Sequence, residues 1–338
     1  MTARFPQALA VYTTCPPSNS AATAYLERVS AISRWSEAVG SVGMLVYSDN
    51  GLVDPWLLAS HVISVTRQLS PLVAVQPAYM PPYSAAKMVA SLGFLHGRPV
   101  HLNMVAGGFV NDLVALGDRT PHDRRYERLV EYTMLIRRLL ETDGPVTHEG
   151  EFYSVTNLRM SPPLPESLRP TVLVSGSSDA GLAAATALGA VVVHYPKPPD
   201  EYAAAADGPA RGRGIRIGIL AREDREAAWR EAHQRFPVDR KGQLTHQLAM
   251  KVSDSAWHRQ LSDLAAVPPD TNPYWLVPFQ NYKTFCPYLV GSYDDVAQIV
   301  RRYLEAGFGT YILDVPREEA DLLHAVEVFQ RASSQAAV

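Results

Sequence analysis

The sequence is expected to fold as a (β/α)8 barrel, a TIM barrel, on three observations. Short apolar runs alternate with longer amphipathic ones along the chain, and eight of the short runs read as strands. Several of those runs stop at glycine, asparagine or serine, which let a strand turn and place a polar group at its carboxyl end. The chain has 338 residues, and a barrel of this kind takes roughly 250 plus insertions. No internal repeat points to a solenoid. Residues 1–338 are therefore read as one barrel domain.

The elements follow in order. Gln7–Thr13 reads as strand one. Tyr25–Val39 reads as a helix, with Leu26, Val29, Ile32 and Trp35 at roughly helical spacing. Val42–Tyr47 is strand two. Pro55–Gln68 is a helix, with Asp54 as its cap and proline in its first turn. Pro71–Gln76 is strand three, Ser84–Leu95 a helix, and Pro99–Ala106 strand four. Arg124–Glu141 is a long helix entered through Thr120-Pro-His-Asp123, where Asp123 can cap. Thr171–Ser175 is strand five, Asp179–Leu188 a helix, and Ala190–His194 strand six. Ile215–Ala221 is strand seven, followed by the helix Glu223–Arg235. Tyr293–Ala306 is a helix, Thr310–Leu313 strand eight, and Glu318–Arg331 the closing helix.

Three stretches break the even spacing. Residues 144–170 contain a hairpin-like pattern at Thr147–Val155. Residues 203–214, rich in alanine and glycine, read as a surface connection. Residues 236–291 form an insertion before the last helix–strand unit, carrying Trp257, Tyr274, Trp275, Phe279, Tyr282, Phe285 and Tyr288. That aromatic content argues against simple disorder. The insertion is either a lid that excludes water from a pocket or an excursion packed on the barrel rim.

Composition narrows the function classes. The net charge is −3 without a basic tract, which argues against nucleic acid as a partner, because phosphate backbones need clustered Lys and Arg. The two cysteines, Cys15 and Cys286, form neither a metal-ligand pattern nor a disulfide framework and fit a reducing compartment. Cys15 reads as a buried, inert thiol. The start of the chain lacks a signal-peptide core, and no apolar run is long enough to span a bilayer, so the expected compartment is the cytoplasm and no membrane is expected. No metal site is expected.

Candidate chemistry lies at strand ends. Strand four alternates Leu102 and Met104 with His101 and Asn103, then stops at Ala106-Gly-Gly108. Asn103 offers both a donor and an acceptor just before that turn. Ser175-Gly176-Ser177-Ser178 follows a strand and opens a helix. Such a turn offers N–H groups, hydroxyls and the positive end of a helix dipole to a phosphate, or else a simple capping turn with Ser178 as cap. Arg216 is one charged side chain in the apolar strand Ile215–Leu220, so it is either paired within the barrel or faces a ligand. His194 and Tyr195 end strand six, and His194 is suited to acid–base work or to a structural bond with the backbone. His122 lies on the loop after strand four.

Four motifs occur together: Asn-x-Val-x-Gly-Gly at 103–108, His-Asp-x-Arg-Tyr-Glu at 122–127, Glu149-Gly-Glu-Phe-Tyr153, and Ser175-Gly-Ser-Ser-Asp-Ala-Gly181. In this order they resemble the bacterial luciferase-like flavin monooxygenases, most closely the alkanesulfonate branch, over nearly the whole chain. The resemblance implies reduced FMN as cofactor and dioxygen as co-substrate. It places Asn103 and Ala106 beside the flavin ring, Tyr126 near its phosphate or ribityl chain, and Ser175, Gly176, Ser177 and Ser178 around the phosphate. A threonine is often found where this chain has Ala106. Arg216 matches an arginine of the catalytic site; with His194 and His122 it completes the candidate catalytic set. The alkanesulfonate enzymes carry a histidine where this chain has Gly218 and a tyrosine where it has Val315. A loop arginine of theirs has no clear match, Lys283 being only nearby.

The implied activity is a two-component monooxygenase. A separate reductase would supply reduced FMN, since the chain shows no nicotinamide-binding fingerprint. The aromatic insertion and the missing sulfonate set imply a larger, less anionic organic substrate than those sulfonates, still of small to medium size, as in specialised metabolism. A deazaflavin-dependent oxidoreductase and a non-catalytic flavin-binding relative remain alternatives. A homodimer or higher homo-oligomer is the expected assembly.

Overall fold

The computed structural model describes residues 3–107, 109–203, 210–252 and 273–334. Eight parallel strands close the barrel. They are β1 (Ala10–Thr14), β2 (Gly43–Val46), β3 (Ser70–Val75), β4 (His101–Met104), β7 (Val172–Ser175), β8 (Val191–His194), β9 (Ala210–Arg222) and β12 (Phe308–Leu313). β12 pairs β1 on one side and β9 on the other, and β9 also pairs β8, which completes the circle. Between them β5 (Val146–Glu149) and β6 (Ser154–Leu158) form a separate hairpin.

Strand alternation builds two layers. Ala10, Tyr12, Leu45, Leu72, Ala74, Leu173, Val193 and Ile312 form one apolar cluster inside the barrel. The opposite faces of the strands, such as Leu102 and Met104, pack outward against helices. The helices read their apolar stripes accordingly. They are α1 (Ala22–Ala38), α2 (Pro55–Val65), α3 (Pro82–His96), α4 (Val110–Ala115), α5 (His122–Glu141), α6 (Asp179–Leu188), α7 (Arg225–Arg235) and α8 (Arg240–Val252). Later come α9 (Val277–Gln280), α10 (Tyr293–Glu305) and α11 (Glu319–Ser334). In α5, Leu129, Tyr132, Leu135, Ile136, Leu139 and Leu140 recur at helical spacing and are buried. Truncating one of these, such as Leu135, to alanine costs about 2–5 kcal/mol.

Caps fix several helix starts. Asp54 accepts from the N–H groups of Trp56 and Leu57, with Pro55 in the first turn. Ser178 accepts from Gly181 N–H at 3.2 Å. Ser292 and Asp295 form a reciprocal capping box on α10.

Several expectations are corrected. α5 starts at His122, so His122 is helical and not on a loop. Asp123 does not cap α5; its carboxylate lies 2.7 Å from His122 Nδ1. Leu26 is exposed, because the buried stripe of α1 runs through Tyr25, Val29 and Ile32. Residues 210–214 are not a surface connection: they extend β9 downwards, where Arg213 pairs Val192 and Gly214 pairs Thr310. Residues 204–209 of that stretch lie outside the described residues, as does Gly108.

The insertion adds two strands that its aromatic pattern concealed. β10 (Tyr274–Trp275) pairs antiparallel with β11 (Tyr288–Ser292), and β11 pairs parallel with the upper half of β9. Tyr274, Trp275, Phe279 and Tyr288 are buried. Trp257 lies outside the described residues.

Candidate active site

A cavity of about 560 Å3 opens at the carboxyl ends of the barrel strands, within the usual size of a cofactor or ligand pocket. All seven residues expected at a flavin line it: Asn103, Ala106, Tyr126, Ser175, Gly176, Ser177 and Ser178. So do His122 and Arg216.

The serine turn divides its hydroxyls among three tasks. Ser175 donates to Asn103 Oδ1 at 2.8 Å. Ser178 caps α6. The Ser177 hydroxyl is buried and has no partner among the described residues, an arrangement that normally signals a missing ligand or water. A Cβ on Gly176 would lie 2.6 Å from the Tyr126 hydroxyl, so glycine is what lets the tyrosine close over the turn. The first N–H groups of α6 have no intrahelical partner and carry the positive end of its dipole. Asp179 is exposed and does not line the cavity, so its charge does not oppose an anion there. The donor set fits the phosphate of a flavin mononucleotide.

Asn103 is 5% exposed. Its Oδ1 is taken by Ser175, and no described residue accepts from its Nδ2 donors. Those donors therefore suit the polar edge of a flat ring. In the turn after Asn103, Gly107 adopts a positive φ of 98°, and Arg125 donates to its carbonyl at 3.4 Å and to the Thr120 carbonyl at 3.1 Å. This buried arginine ties α5 to the turn after β4. The Glu149–Tyr153 motif serves a similar tying role: Glu131 of α5 accepts from the N–H groups of Glu151, Phe152 and Tyr153.

Arg216 is 4% exposed and is paired within the barrel while still reaching the cavity. It lines the cavity, and it pairs with Asp314 at 3.5 Å. Its guanidinium also donates to the Tyr47 hydroxyl and lies 5.0 Å from the centre of that ring. Burial works against its charge, but Tyr47, Tyr195, Cys286 and Asp314 around it raise its pKa well above the usual value. Burial pushes up the Tyr47, Tyr195 and Cys286 protons, so these neighbours stay neutral.

His194 does not meet the cavity. Its neighbour Val193 faces inward, while the His194 ring packs edge-on against Phe308 at 5.9 Å. Burial, then the nearby Arg213, push its pKa down to about 4. The expectation that it reaches the reaction site is corrected on that geometry. His122 sits at the mouth with its ring 5.2 Å from Tyr126. Cys15 is buried, and burial lifts its thiol to about 12, as an inert core cysteine requires.

Residues not singled out from sequence as site residues are Tyr47, Tyr288 and Asp314, all on the cavity wall, where Tyr195 at the end of strand six also lies. Tyr47 and Asp314 stand at or just past strand ends, which is the signal that could have found them. Tyr288 carried no such signal, because β11 lies inside the insertion.

Among the described residues no group of three or more His, Cys, Asp or Glu side chains could hold a metal ion. No helix of the described residues is long and apolar enough to cross a membrane.

Comparison with known proteins agrees with this geometry. The luciferase-like monooxygenase family matches residues 9–310. The 4-(gamma-L-glutamylamino)butanoyl-BtrI acyl-carrier protein monooxygenase BtrO of Niallia circulans is 35% identical over 317 residues, covering 92% of each chain. Among solved structures, the long-chain alkane monooxygenase LadA superposes with a TM-score of 0.72 at 16% identity, over 99% of this chain and 92% of its own. The EDTA monooxygenase EmoA of Chelativorans sp. BNC1 gives 0.69 at 17% identity, over 98% and 95%. An F420-dependent secondary alcohol dehydrogenase gives 0.65 at 15%, over 96% and 99%. The solved structures share the fold; the alkanesulfonate branch in particular is not singled out. With its closed parallel barrel and a family match spanning most of its length, the chain belongs to the luciferase-like monooxygenase family.

Proposed function

We propose that the protein is a two-component monooxygenase that takes reduced FMN from a separate reductase and uses dioxygen on a small to medium organic substrate. The observation that carries this reading is the serine turn: a buried Ser177 hydroxyl with no partner among the described residues, beside a helix N-terminus and closed by Tyr126 over Gly176. FMN has a phosphate to place there; riboflavin does not. Bound there, reduced FMN would supply the electrons that activate dioxygen.

The protein's own residues supply the rest. Ser175 orients Asn103, and the Asn103 amide meets the ring edge. Arg216, paired with Asp314, holds its guanidinium donors on the wall at a preorganised position. The apolar strand ends Leu45, Ala74, Val193 and Ile312 also line the cavity and keep the floor dry. The relative at 35% identity, whose name gives a carrier-protein-bound acyl chain as its substrate, supports a tethered acyl chain as one substrate class for this protein too.

The test is reaction of the purified protein with reduced FMN, a reductase, candidate acyl substrates and isotopically labelled dioxygen. The expected result is one labelled oxygen atom in the product, detected by mass spectrometry. Turnover with a reduced deazaflavin but not with reduced FMN would assign the other cofactor. Tight flavin binding without any labelled product across acyl substrates would favour a non-catalytic relative.

A further inference from the structure

Three strands meet at one buried charge pair on the cavity wall. Arg216 comes from β9, Asp314 directly follows β12, and Tyr288 opens β11. Asp314 Oδ1 lies 3.5 Å from Arg216, and its Oδ2 accepts from the Tyr288 hydroxyl at 2.9 Å. The Asp314 N–H continues the ladder to the Ile217 carbonyl at 3.0 Å, so the carboxylate has a fixed base. Tyr288 stands opposite Gly218 in the β9–β11 register. A Cβ at 218 would lie 2.3 Å from the Tyr288 ring. The glycine therefore makes room for the phenol that holds Asp314.

Arg216 and Asp314 form a pair of zero net charge at this wall, while Arg235 and Arg317, which also line the cavity, are engaged elsewhere, Arg235 by Asp321 and Glu231 and Arg317 by the Arg235 carbonyl. Arg216 carries one positive charge and Asp314 one negative. Burial keeps Tyr47, Tyr195, Cys286 and Tyr288 protonated around them. An arginine alone in such a wall would attract an anion. An arginine with a carboxylate at its side presents donors but no net charge, and a second anion entering here meets Asp314 in a site that water screens poorly.

We propose that Asp314, fixed by Tyr288, is a specificity-determining residue: it cancels the charge of Arg216, so the cavity takes a substrate whose group beside Arg216 is a neutral carbonyl and rejects sulfonates and carboxylates. Amides, thioesters and esters are the classes that fit. The inference rests on this cavity being where the substrate of the proposed oxygenation sits.

The test measures binding of two matched probes, octanamide and octanesulfonate, by titration calorimetry, without flavin and again with FMN present. The parent protein is expected to bind the amide at least about tenfold more tightly than the sulfonate. Asp314→Asn should reverse that order by tightening the sulfonate about tenfold and leaving the amide within about threefold. Removing one partner of a buried pair can also unfold a protein, so the charge-free double variant Arg216→Met/Asp314→Asn decides independently. It should leave sulfonate binding as weak as in the parent, because no unpaired charge is created, while the amide is weakened by loss of the Arg216 donors. Sulfonate binding in the parent as tight as amide binding would overturn the proposal. So would a double variant whose sulfonate affinity falls further, since Arg216 would then be an anion anchor despite Asp314. Because the probes are read without flavin, loss of discrimination and loss of FMN binding are separate results, and a protein that discriminates but never binds reduced FMN fails only the functional reading.

Discussion

The Ser175 hydroxyl donates to Asn103 Oδ1 at 2.8 Å and joins the ends of two neighbouring barrel strands, β4 and β7. This bond sets the direction in which the Asn103 amide donors point. Ser175→Ala should leave that oxygen without its donor. The expected cost is about 1 kcal/mol of stability and a loss of reduced-FMN affinity of about fivefold. Urea unfolding beside an anaerobic flavin titration reads both, and unchanged flavin affinity would remove the pair from the cofactor site.

Ser177→Asp puts a negative charge where the phosphate is proposed to lie. Like-charge repulsion should abolish any preference for reduced FMN over reduced riboflavin, with riboflavin binding little changed. A variant that still prefers FMN would move the phosphate elsewhere.

Arg216→Met should do two things, because Arg216 both lines the cavity and pairs with Asp314. Leaving Asp314 buried without its partner should cost about 3–5 kcal/mol of folding stability. Turnover of the folded fraction should fall by a factor on the order of 100, the range for losing one preorganised donor. In Arg216→Met/Asp314→Asn most of the stability should return while turnover stays low. Thermal unfolding beside coupled product formation separates the two effects; normal turnover in either variant would take Arg216 out of the catalytic set.

His101 and His194 give a pH dependence with a defined sign. Burial holds the folded pKa of each near 4, below the usual 6.5. The unfolded chain therefore takes up these protons first. The stability they contribute is complete above about pH 6.5 and is lost as pH falls from there towards 4, by up to about 3 kcal/mol for each. His101→Asn should flatten the slope of unfolding free energy between pH 6.5 and 4 relative to the parent. An identical slope would mean that His101 titrates normally. His194→Gln should leave turnover at neutral pH unchanged, since its ring packs on Phe308 away from the cavity.

The insertion offers a test of motion. The paired backbone of β10 and β11 should be protected from hydrogen exchange in the free protein. If residues 236–291 act as a lid, α8, which exposes Leu244 and Leu248, should gain protection only when flavin and substrate are both bound. Full protection of α8 in the free protein would make the insertion rim packing.

The barrel was legible in the sequence because its eight strands are short apolar runs with polar ends, and that pattern survives without tertiary information. The strand boundaries moved by a few residues, and β9 ran further back because Arg213 and Gly214 can extend a strand despite their composition. The cofactor wall was legible for the same reason: Asn103 and Ser175 stand at strand ends, where this fold puts its polar groups. The opposite wall was not. Arg216 stood out as a charge in an apolar strand, but nothing in the spacing says that its partner is Asp314, nearly a hundred residues on, or that a phenol from the insertion fills the space above Gly218. His194 misled because its place at a strand end does not say which face it takes; its neighbour Val193 holds the inner one.

The most direct test of the central claim is the dissociation constant of the parent protein for reduced FMN and for reduced riboflavin, measured anaerobically under the same conditions. A phosphate held by the Ser175–Ser178 turn and the α6 N-terminus predicts that reduced FMN binds at least about tenfold more tightly, worth about 1.4 kcal/mol. Equal affinity for the two flavins would contradict the account.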